Sequence, residues 1–268
     1  MAENLAPIGI FDSGIGGLTV AAAIHRALPN RRLVYFGDTA HLPYGDKSPN
    51  AIKHYSLRIT RFLAEQGCET VVVACNTASS IARNEIAAAA GPHIKVYNVI
   101  DPVAEHVASS YNNAGIGVIG TKGTIRTRTY PRDIQRLNPT LHVKSLATPL
   151  LVPMIEEGFF NNNISQTIIN NYLNSKHLKG ISALILGCTH YPLIRKEVER
   201  YYRSAGVDVL DAASILASQL KRDLHEGETR LAEHHFYVSD FTDSFEKSTR
   251  LFFGEKVRLE TADLWATL

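Results

Sequence analysis

The chain has 268 residues, with 28 lysines and arginines against 26 aspartates and glutamates, which gives a formal net charge of +2. Its 45% hydrophobic and 20% charged residues exclude a disordered chain, and the near balance of charge provides no basic field of the kind that nucleic-acid binding needs. The apolar runs are too short to cross a bilayer, the first residues lack the features of a secretory signal, and there are only three cysteines. These features predict a cytoplasmic globular protein with free thiols that binds neither a membrane nor nucleic acid.

Short β-branched runs alternate with longer helical patterns along almost the whole chain. The stretches Asn50–Gln66, Ile164–Ser175 and Leu193–Ser204 are apolar at spacings of three and four, which predicts helices. The predicted strands are Ile8–Phe11, Leu33–Phe36, Thr70–Ala74, Lys95–Asn98, Gly115–Ile119, His142–Leu146, Ala183–Leu186, Val207–Leu210, Phe236–Ser239 and Val257–Thr261. This alternation of apolar strands and helices predicts an α/β fold with mainly parallel sheets that helices flank on both faces.

Two motifs recur at nearly the same spacing. Ile8–Ser13 resembles Ile116–Thr121 at an offset of 108 residues, and Val71–Thr77 resembles Leu184–His190 at an offset of 113. Such echoes predict two similar, pseudo-symmetric α/β halves with the same order of strands and turns. The alternative is that parallel α/β architectures produce short likenesses of this kind by themselves.

A third and weaker echo pairs Asp38-Thr39 with Ala147-Thr148, at an offset of 109 residues. The strands after residue 207 have no counterpart left in the second half, so we expect them to return to the first. We therefore predict a discontinuous first domain, residues 1–98 plus 212–268, and a second domain of residues 99–211.

Small polar residues follow the predicted strands. In open α/β sheets, ligands bind beyond the carboxyl ends of the strands, where the free N–H groups of helix N-termini point. The residues at these ends are Asp12-Ser13, Gly37–Thr39, Cys75–Thr77, Thr121 and Cys188–His190. A cleft between the two halves is therefore the predicted site.

Two of the cysteines, Cys75 and Cys188, each end an apolar strand and precede a helix. A helix N-terminus lowers the pKa of a neighbouring thiol, so we expect both to be reactive. The alternative for a single cysteine is that it fills the core as a small hydrophobic side chain. Two cysteines at equivalent places in two similar halves instead favour a functional pair. Cys68 precedes a strand and is predicted to pack in the core.

Paired thiols can form a redox couple, bind a metal, or act as two acid–base groups. The redox spacing Cys-x-x-Cys is absent, and so are closely spaced metal ligands, so no metal is predicted. Proton transfer on opposite faces of one small molecule remains, as in a racemase or epimerase. Asp12 and His190 are the nearest helpers; the alternatives are that Asp12 only caps a helix and that His190 is an ordinary buried histidine.

The glycine turn Asp12–Gly17 carries the spacing G-x-G-G, with Thr19 where a dinucleotide fingerprint would have its third glycine. This spacing disfavours a dinucleotide and is typical of a compact turn, which we expect to serve a small anionic or zwitterionic ligand.

Four motifs closely resemble the signatures of the glutamate racemases, in the order and spacing of that family. They are Phe11–Thr19, Gly37–Gly45, Ala74–Ser79 and Leu186–Leu193. The resemblance implies two α/β domains with the ligand buried between them, and a cofactor-independent isomerase that interconverts L- and D-glutamate and supplies D-glutamate for peptidoglycan. It also implies that Cys75 exchanges the proton of the D enantiomer with help from Asp12, and Cys188 that of the L enantiomer with help from His190.

The same resemblance implies a set of substrate-binding residues that act mainly through neutral donors. They are Asp12, Ser13, Tyr44, Gly45, Asn76, Thr77, Thr121, Thr189 and His190, with Glu156 as an acidic residue near the site. No lysine stands out for a Schiff base, so no cofactor is predicted. The assembly that we consider for this chain is a homodimer.

Two other functions remain open. An aspartate racemase of the same superfamily would have the same thiol pair in a smaller pocket. A non-catalytic, two-lobed amino-acid-binding protein would have no need of paired thiols.

Overall fold

The computed structural model describes residues 5–225 and 233–266. In this part of the chain the strands are β1 (Ile8–Asp12), β2 (Leu33–Gly37), β3 (Thr70–Val73), β4 (Lys95–Asn98), β5 (Gly115–Gly120), β6 (His142–Ala147), β7 (Ala183–Gly187), β8 (Asp208–Asp211), β9 (His235–Val238) and β10 (Leu259–Thr261). The helices are α1 (Leu18–Ala27), α2 (Pro49–Glu65), α3 (Asn76–Ala90), α4 (Asp101–Ser110), α5 (Lys122–Arg126), α6 (Thr129–Leu137), α7 (Leu151–Glu156), α8 (Asn163–Leu173), α9 (Arg195–Tyr202), α10 (Ala212–Asp223) and α11 (Asp243–Phe253).

Two parallel sheets organise the molecule. The first has the order β10-β9-β2-β1-β3-β4 and the second has the order β6-β5-β7-β8. All strand pairs in both sheets are parallel. The predicted α/β class is confirmed.

The two sheets repeat one pattern. The order β2-β1-β3-β4 in the first corresponds to β6-β5-β7-β8 in the second, as the sequence echoes indicate. The returning strands β9 and β10 extend the first sheet beyond β2. The division of the chain at residues 98 and 211 stays a prediction.

The third echo needs a correction of one residue. Gly37 pairs with Asp12 in the first sheet, and Ala147 pairs with Gly120 in the second. Thr148 therefore follows β6 as Asp38 follows β2, so Asp38 and not Thr39 is its counterpart.

The central strands are buried because helices cover both faces of each sheet. Every residue of β1, β2, β3 and β7 is buried, whereas the edge strands β4 and β6 are mostly half-buried. Near-continuous apolar strands are what such two-sided cover requires. The predicted helix from Leu193 begins at Arg195, because a short 3₁₀ turn, Tyr191–Ile194, precedes it.

The carboxyl ends of the two sheets meet. The Thr77 hydroxyl, at the start of α3, lies 3.0 Å from the hydroxyl of Thr121 and 3.2 Å from that of Thr124, both at the start of α5. This contact places the residues that follow β3 opposite those that follow β5. Within residues 5–225 and 233–266, no helix has the length and apolar character that crossing a membrane requires.

Candidate active site

A cavity of about 100 Å³ lies where the strand ends of the two sheets meet. The predicted site residues on its wall are Ser13, Tyr44, Gly45, Cys75, Asn76, Thr77, Thr121, Glu156, Cys188, Thr189 and His190. Both sheets contribute, because β1, β2 and β3 lead into the first part of this set and β5, β6 and β7 into the rest. The structure thus brings all but one of the predicted site residues to one cavity; the exception is Asp12.

Cys75 follows β3 and caps α3. Its sulfur accepts a hydrogen bond from the N–H of Ala78 at 3.4 Å, and its S–H donates to the hydroxyl of Ser13 at 3.7 Å. Burial, and then the charge of Asp12, raise the pKa of Cys75 to about 12, outweighing the opposite effect of Ala78 and Ser13. The prediction that the helix start lowers this pKa is therefore wrong, because burial dominates. At neutral pH Cys75 carries its proton.

Cys188 follows β7 and has a different environment. Its sulfur lies 3.7 Å from Nδ1 of His190, and Nε2 of the same ring lies 2.9 Å from Oε1 of Glu156. Burial lowers the pKa of His190, but hydrogen bonds with Cys188 and Glu156, together with their negative charges, outweigh it and raise the pKa to about 10. The ring is therefore a cation at neutral pH, and an imidazolium is a natural counter-ion for a thiolate.

Asp12 lies behind the cavity wall and is fully buried. Its carboxylate accepts hydrogen bonds from the N–H of Gly17 at 2.9 Å and of Gly14 at 3.3 Å, and from the hydroxyl of Thr189 at 3.5 Å. Among the described residues, none of the Asp12 hydrogen bonds goes to Cys75. Burial raises the pKa of Asp12, against the opposing charge of His190 and the backbone N–H groups.

The carboxylate of Asp12 holds the glycine turn before α1, as the capping alternative expects, and its charge acts on Cys75. Contact between Asp12 and the ligand stays a prediction. The direction of this side chain could not be recognised from the sequence, since the direction of a side chain at a strand end depends on the turn that follows.

The glycines of the turn before α1 are required because other side chains approach the backbone closely there. A Cβ at Gly16 would collide with the ring of His190 and would come within 2.8 Å of the Thr189 hydroxyl. A Cβ at Gly17 would collide with Asp12. Gly16 thus lets the first lobe pack directly against the His190 segment of the second, and Gly17 lets the turn close on Asp12.

Buried tyrosines hold two polar side chains of the wall in place. The hydroxyl of Tyr130, on α6, donates to Oδ1 of Asn76 at 2.7 Å, so the Asn76 amide group is left to present its N–H atoms to the cavity. The hydroxyl of Tyr191 lies 2.6 Å from that of Thr148, which also lines the wall. Thr148 is a wall residue that was not predicted from the sequence, although the third echo includes it.

Tyr44 reaches the cavity from the turn after β2, and a buried carboxylate fixes it. Its hydroxyl donates to Asp38 at 2.6 Å, and the same carboxylate accepts from Ser239 at 2.8 Å and lies 3.0 Å from Nδ1 of His41. Burial and the charge of Asp38 raise the pKa of Tyr44 well above its usual value. Ser239 follows β9, so the returning strands help to hold this side of the cavity.

Comparison with known proteins places the chain in a family. A family model described as Asp/Glu/Hydantoin racemase matches residues 8–220. The glutamate racemase of Geobacter metallireducens is 40% identical over 93% of this chain and 93% of its own length. The chain belongs to the glutamate racemase family.

Solved structures of glutamate racemases share the whole fold. The enzyme of Francisella tularensis, crystallised with D-glutamate, superposes with a TM-score of 0.90 and 36% identity, covering 97% of this chain and 98% of its own. Isoform RacE1 of Bacillus anthracis has a TM-score of 0.90 at 30% identity, covering 98% and 99%. Like the members of its family, the chain is an isomerase, an amino-acid racemase.

The two cavity thiols of this glutamate racemase family member have different environments. Cys75 is protonated at neutral pH, whereas Cys188 lies beside the cationic ring of His190. Among residues 5–225 and 233–266, no group of three or more His, Cys, Asp or Glu side chains is arranged to hold a metal ion. The third cysteine, Cys68, is 2% exposed in the core, where burial raises its pKa to about 12.

These environments predict the order of alkylation by iodoacetamide. Burial raises the pKa of Cys75 and of Cys68 to about 12, which disfavours the reactive thiolate at both. We therefore expect Cys188, which lies beside His190, to react first and inactivate the enzyme, with glutamate protecting it. Peptide mass mapping during inactivation would identify the modified sulfur. Cys68→Ala is the control and should inactivate at the wild-type rate; modification of Cys68 ahead of Cys188 would contradict this.

Proposed function

We propose that the protein interconverts L-glutamate and D-glutamate without a cofactor, by proton transfer between substrate and two thiols. One observation carries the proposal: Cys75 and Cys188 line the same cavity, each after a central strand of its own sheet. Two pseudo-symmetric halves can supply acid–base groups from opposite sides of a ligand, an arrangement suited to inversion at one carbon.

Starting from L-glutamate, the Cys188 thiolate removes the α-hydrogen as a proton, forming its S–H bond. The electron pair of the broken C–H bond stays on the α-carbon and spreads into the adjacent carboxylate. The Cys75 S–H then delivers its proton to the opposite face, which leaves D-glutamate and a thiolate at Cys75. The reaction from D-glutamate runs the same steps in reverse.

The partners of the two sulfurs fit this asymmetry. Protonated His190 faces Cys188 and is itself held by Glu156, so the thiolate has a fixed counter-ion. Cys75 keeps its proton at neutral pH and points it at Ser13. In the direction from L-glutamate, the proposal therefore assigns proton removal to Cys188 and proton donation to Cys75.

Neutral groups hold the substrate in this proposal. Asn76, Thr77, Thr121 and Thr189 place amide and hydroxyl groups on the cavity wall. Such donors can bind the carboxylates of the substrate through hydrogen bonds, while protonated His190 is engaged by Glu156. The relative from Francisella tularensis, whose crystals contain D-glutamate, supports glutamate as the ligand.

In the cell, we place this activity in the cytoplasm, where D-glutamate is needed for peptidoglycan synthesis. This role rests on the family resemblance. A homodimer stays a prediction.

Circular dichroism of L-glutamate tests the proposal. With purified, dialysed protein and no added cofactor, the ellipticity should decay to zero as the mixture becomes racemic. L-aspartate, assayed in parallel, should be turned over far more slowly. Faster turnover of aspartate would assign the aspartate racemase alternative, and binding of glutamate without any loss of ellipticity would assign the binding-protein alternative.

A further inference from the structure

A pair of opposite charges spans the mouth of the cavity. Asp46 ends the turn that carries Tyr44 and Gly45 from the first lobe, and Lys122 is the first residue of α5 in the second. Both residues line the cavity, and Lys122 Nζ lies 3.7 Å from Oδ1 of Asp46. The pair therefore joins the two lobes across the entrance.

The backbones beneath this pair are pressed together. A Cβ at Gly45 would come within 2.9 Å of Thr121, and a Cβ at Gly123 would come within 3.0 Å of the carbonyl oxygen of Gly45. These close approaches fix the turn of Asp46 against the start of α5. The two charged side chains thus stay at the mouth, although their backbones belong to different lobes.

The pair is easily opened. The side chains of Lys122 and Asp46 are 59% and 66% exposed, and exposed ion pairs at this separation contribute little to stability. A carboxylate that arrives at the mouth can replace Asp46 beside the ammonium group at small cost.

Lys122 is also distinctive in charge. Among the cavity-lining residues that the structure describes, Lys122 is the one lysine or arginine side chain. The carboxylate side chains in that lining are Asp46 and Glu156. Glu156 is held by His190, so Asp46 is the carboxylate that competes for Lys122. At the exposed mouth, an entering dicarboxylate therefore meets one attractive side chain, Lys122, and one repulsive side chain, Asp46.

We propose that Lys122 is a substrate-capture residue that binds a carboxylate of the incoming dicarboxylic amino acid in exchange for Asp46. This rests on the proposed glutamate substrate and adds an entry site to it. Lys122 takes no part in proton transfer, so its effect falls on KM and not on kcat, and equally on both enantiomers.

Steady-state kinetics with charge variants test the capture site. At about 10 mM ionic strength, where screening is weak, Lys122→Met should lower kcat/KM about threefold and Lys122→Glu about tenfold, through KM. Asp46→Asn should act in the opposite direction and raise kcat/KM about twofold. In about 1 M salt these differences should disappear, because the Debye length is then about 3 Å.

A matched control is Lys196→Met, which removes the same charge from an exposed position on α9, outside the cavity. It should behave as wild type at both salt concentrations. Lys122 variants that match Lys196→Met at low salt, or that lose activity equally at low and high salt, would overturn the capture site. No racemisation of glutamate by the wild type would instead overturn the substrate assignment, so the two failures are distinguishable.

Discussion

Cys75→Ala and Cys188→Ala should each lower kcat for glutamate racemisation by about 10⁴-fold, the upper range for loss of an acid–base group. Each variant keeps one thiol on one face of the α-carbon, so inversion has no second proton carrier. Circular dichroism of either enantiomer measures the loss. Cys68→Ala removes a buried thiol outside the cavity and is the matched control, with unchanged turnover.

The remaining thiol gives these variants a distinguishing activity. In deuterated water, Cys75→Ala should exchange the α-hydrogen of L-glutamate through Cys188 without inverting it, and Cys188→Ala should do the same with D-glutamate. Proton NMR follows the loss of the α-hydrogen signal. Exchange of both enantiomers by one single-thiol variant would show that one sulfur reaches both faces.

His190→Asn should lower kcat by about 10²–10³-fold, because it removes the cation beside Cys188. Proton removal from L-glutamate should then limit the rate, so the primary isotope effect with α-deuterated L-glutamate should rise. For enantiomers the ratio of the two kcat/KM values is fixed at one, which is why the asymmetry has to be sought in isotope effects. Equal isotope effects in both directions would mean that His190 only shapes the site.

Glu156→Gln should change the pH profile rather than abolish activity. Glu156 helps to raise the pKa of His190 to about 10, so its loss should lower that pKa by about 1–2 units. Activity that depends on protonated His190 is present below this pKa and lost above it. The alkaline limb of kcat/KM should therefore move to lower pH, and an unmoved limb would contradict the role given to this pair.

Much of the fold could be predicted because buried parallel strands must be apolar on both faces. Every strand of the described residues was predicted to within two residues at each end, and the echo between Ile8–Ser13 and Ile116–Thr121 predicted the repeated strand order. The start of α9 was displaced because the turn after His190 forms a 3₁₀ segment first. Periodicity does not distinguish that segment from an α-helix.

The wall of the cavity could be predicted for a similar reason, since carboxyl ends of parallel strands gather at one edge. The features that could not be predicted depend on burial and on packing between segments far apart in the sequence. The pKa of Cys75 rises because the protein around it excludes water, which a helix-start argument does not include. Phe252 of α11, which packs edge-on against His190 at 5.3 Å, comes from a segment with no motif to mark it.

The distribution of deuterium during conversion in deuterated water tests the two-thiol mechanism most directly. Early in the reaction from L-glutamate, the D-glutamate formed should carry deuterium at the α-carbon, while recovered L-glutamate should keep its hydrogen. The same should hold from D-glutamate with the roles exchanged. If unconverted substrate carried most of the label in either direction, one group would be removing and returning the proton on the same face, and the assignment of separate roles to Cys75 and Cys188 would be wrong.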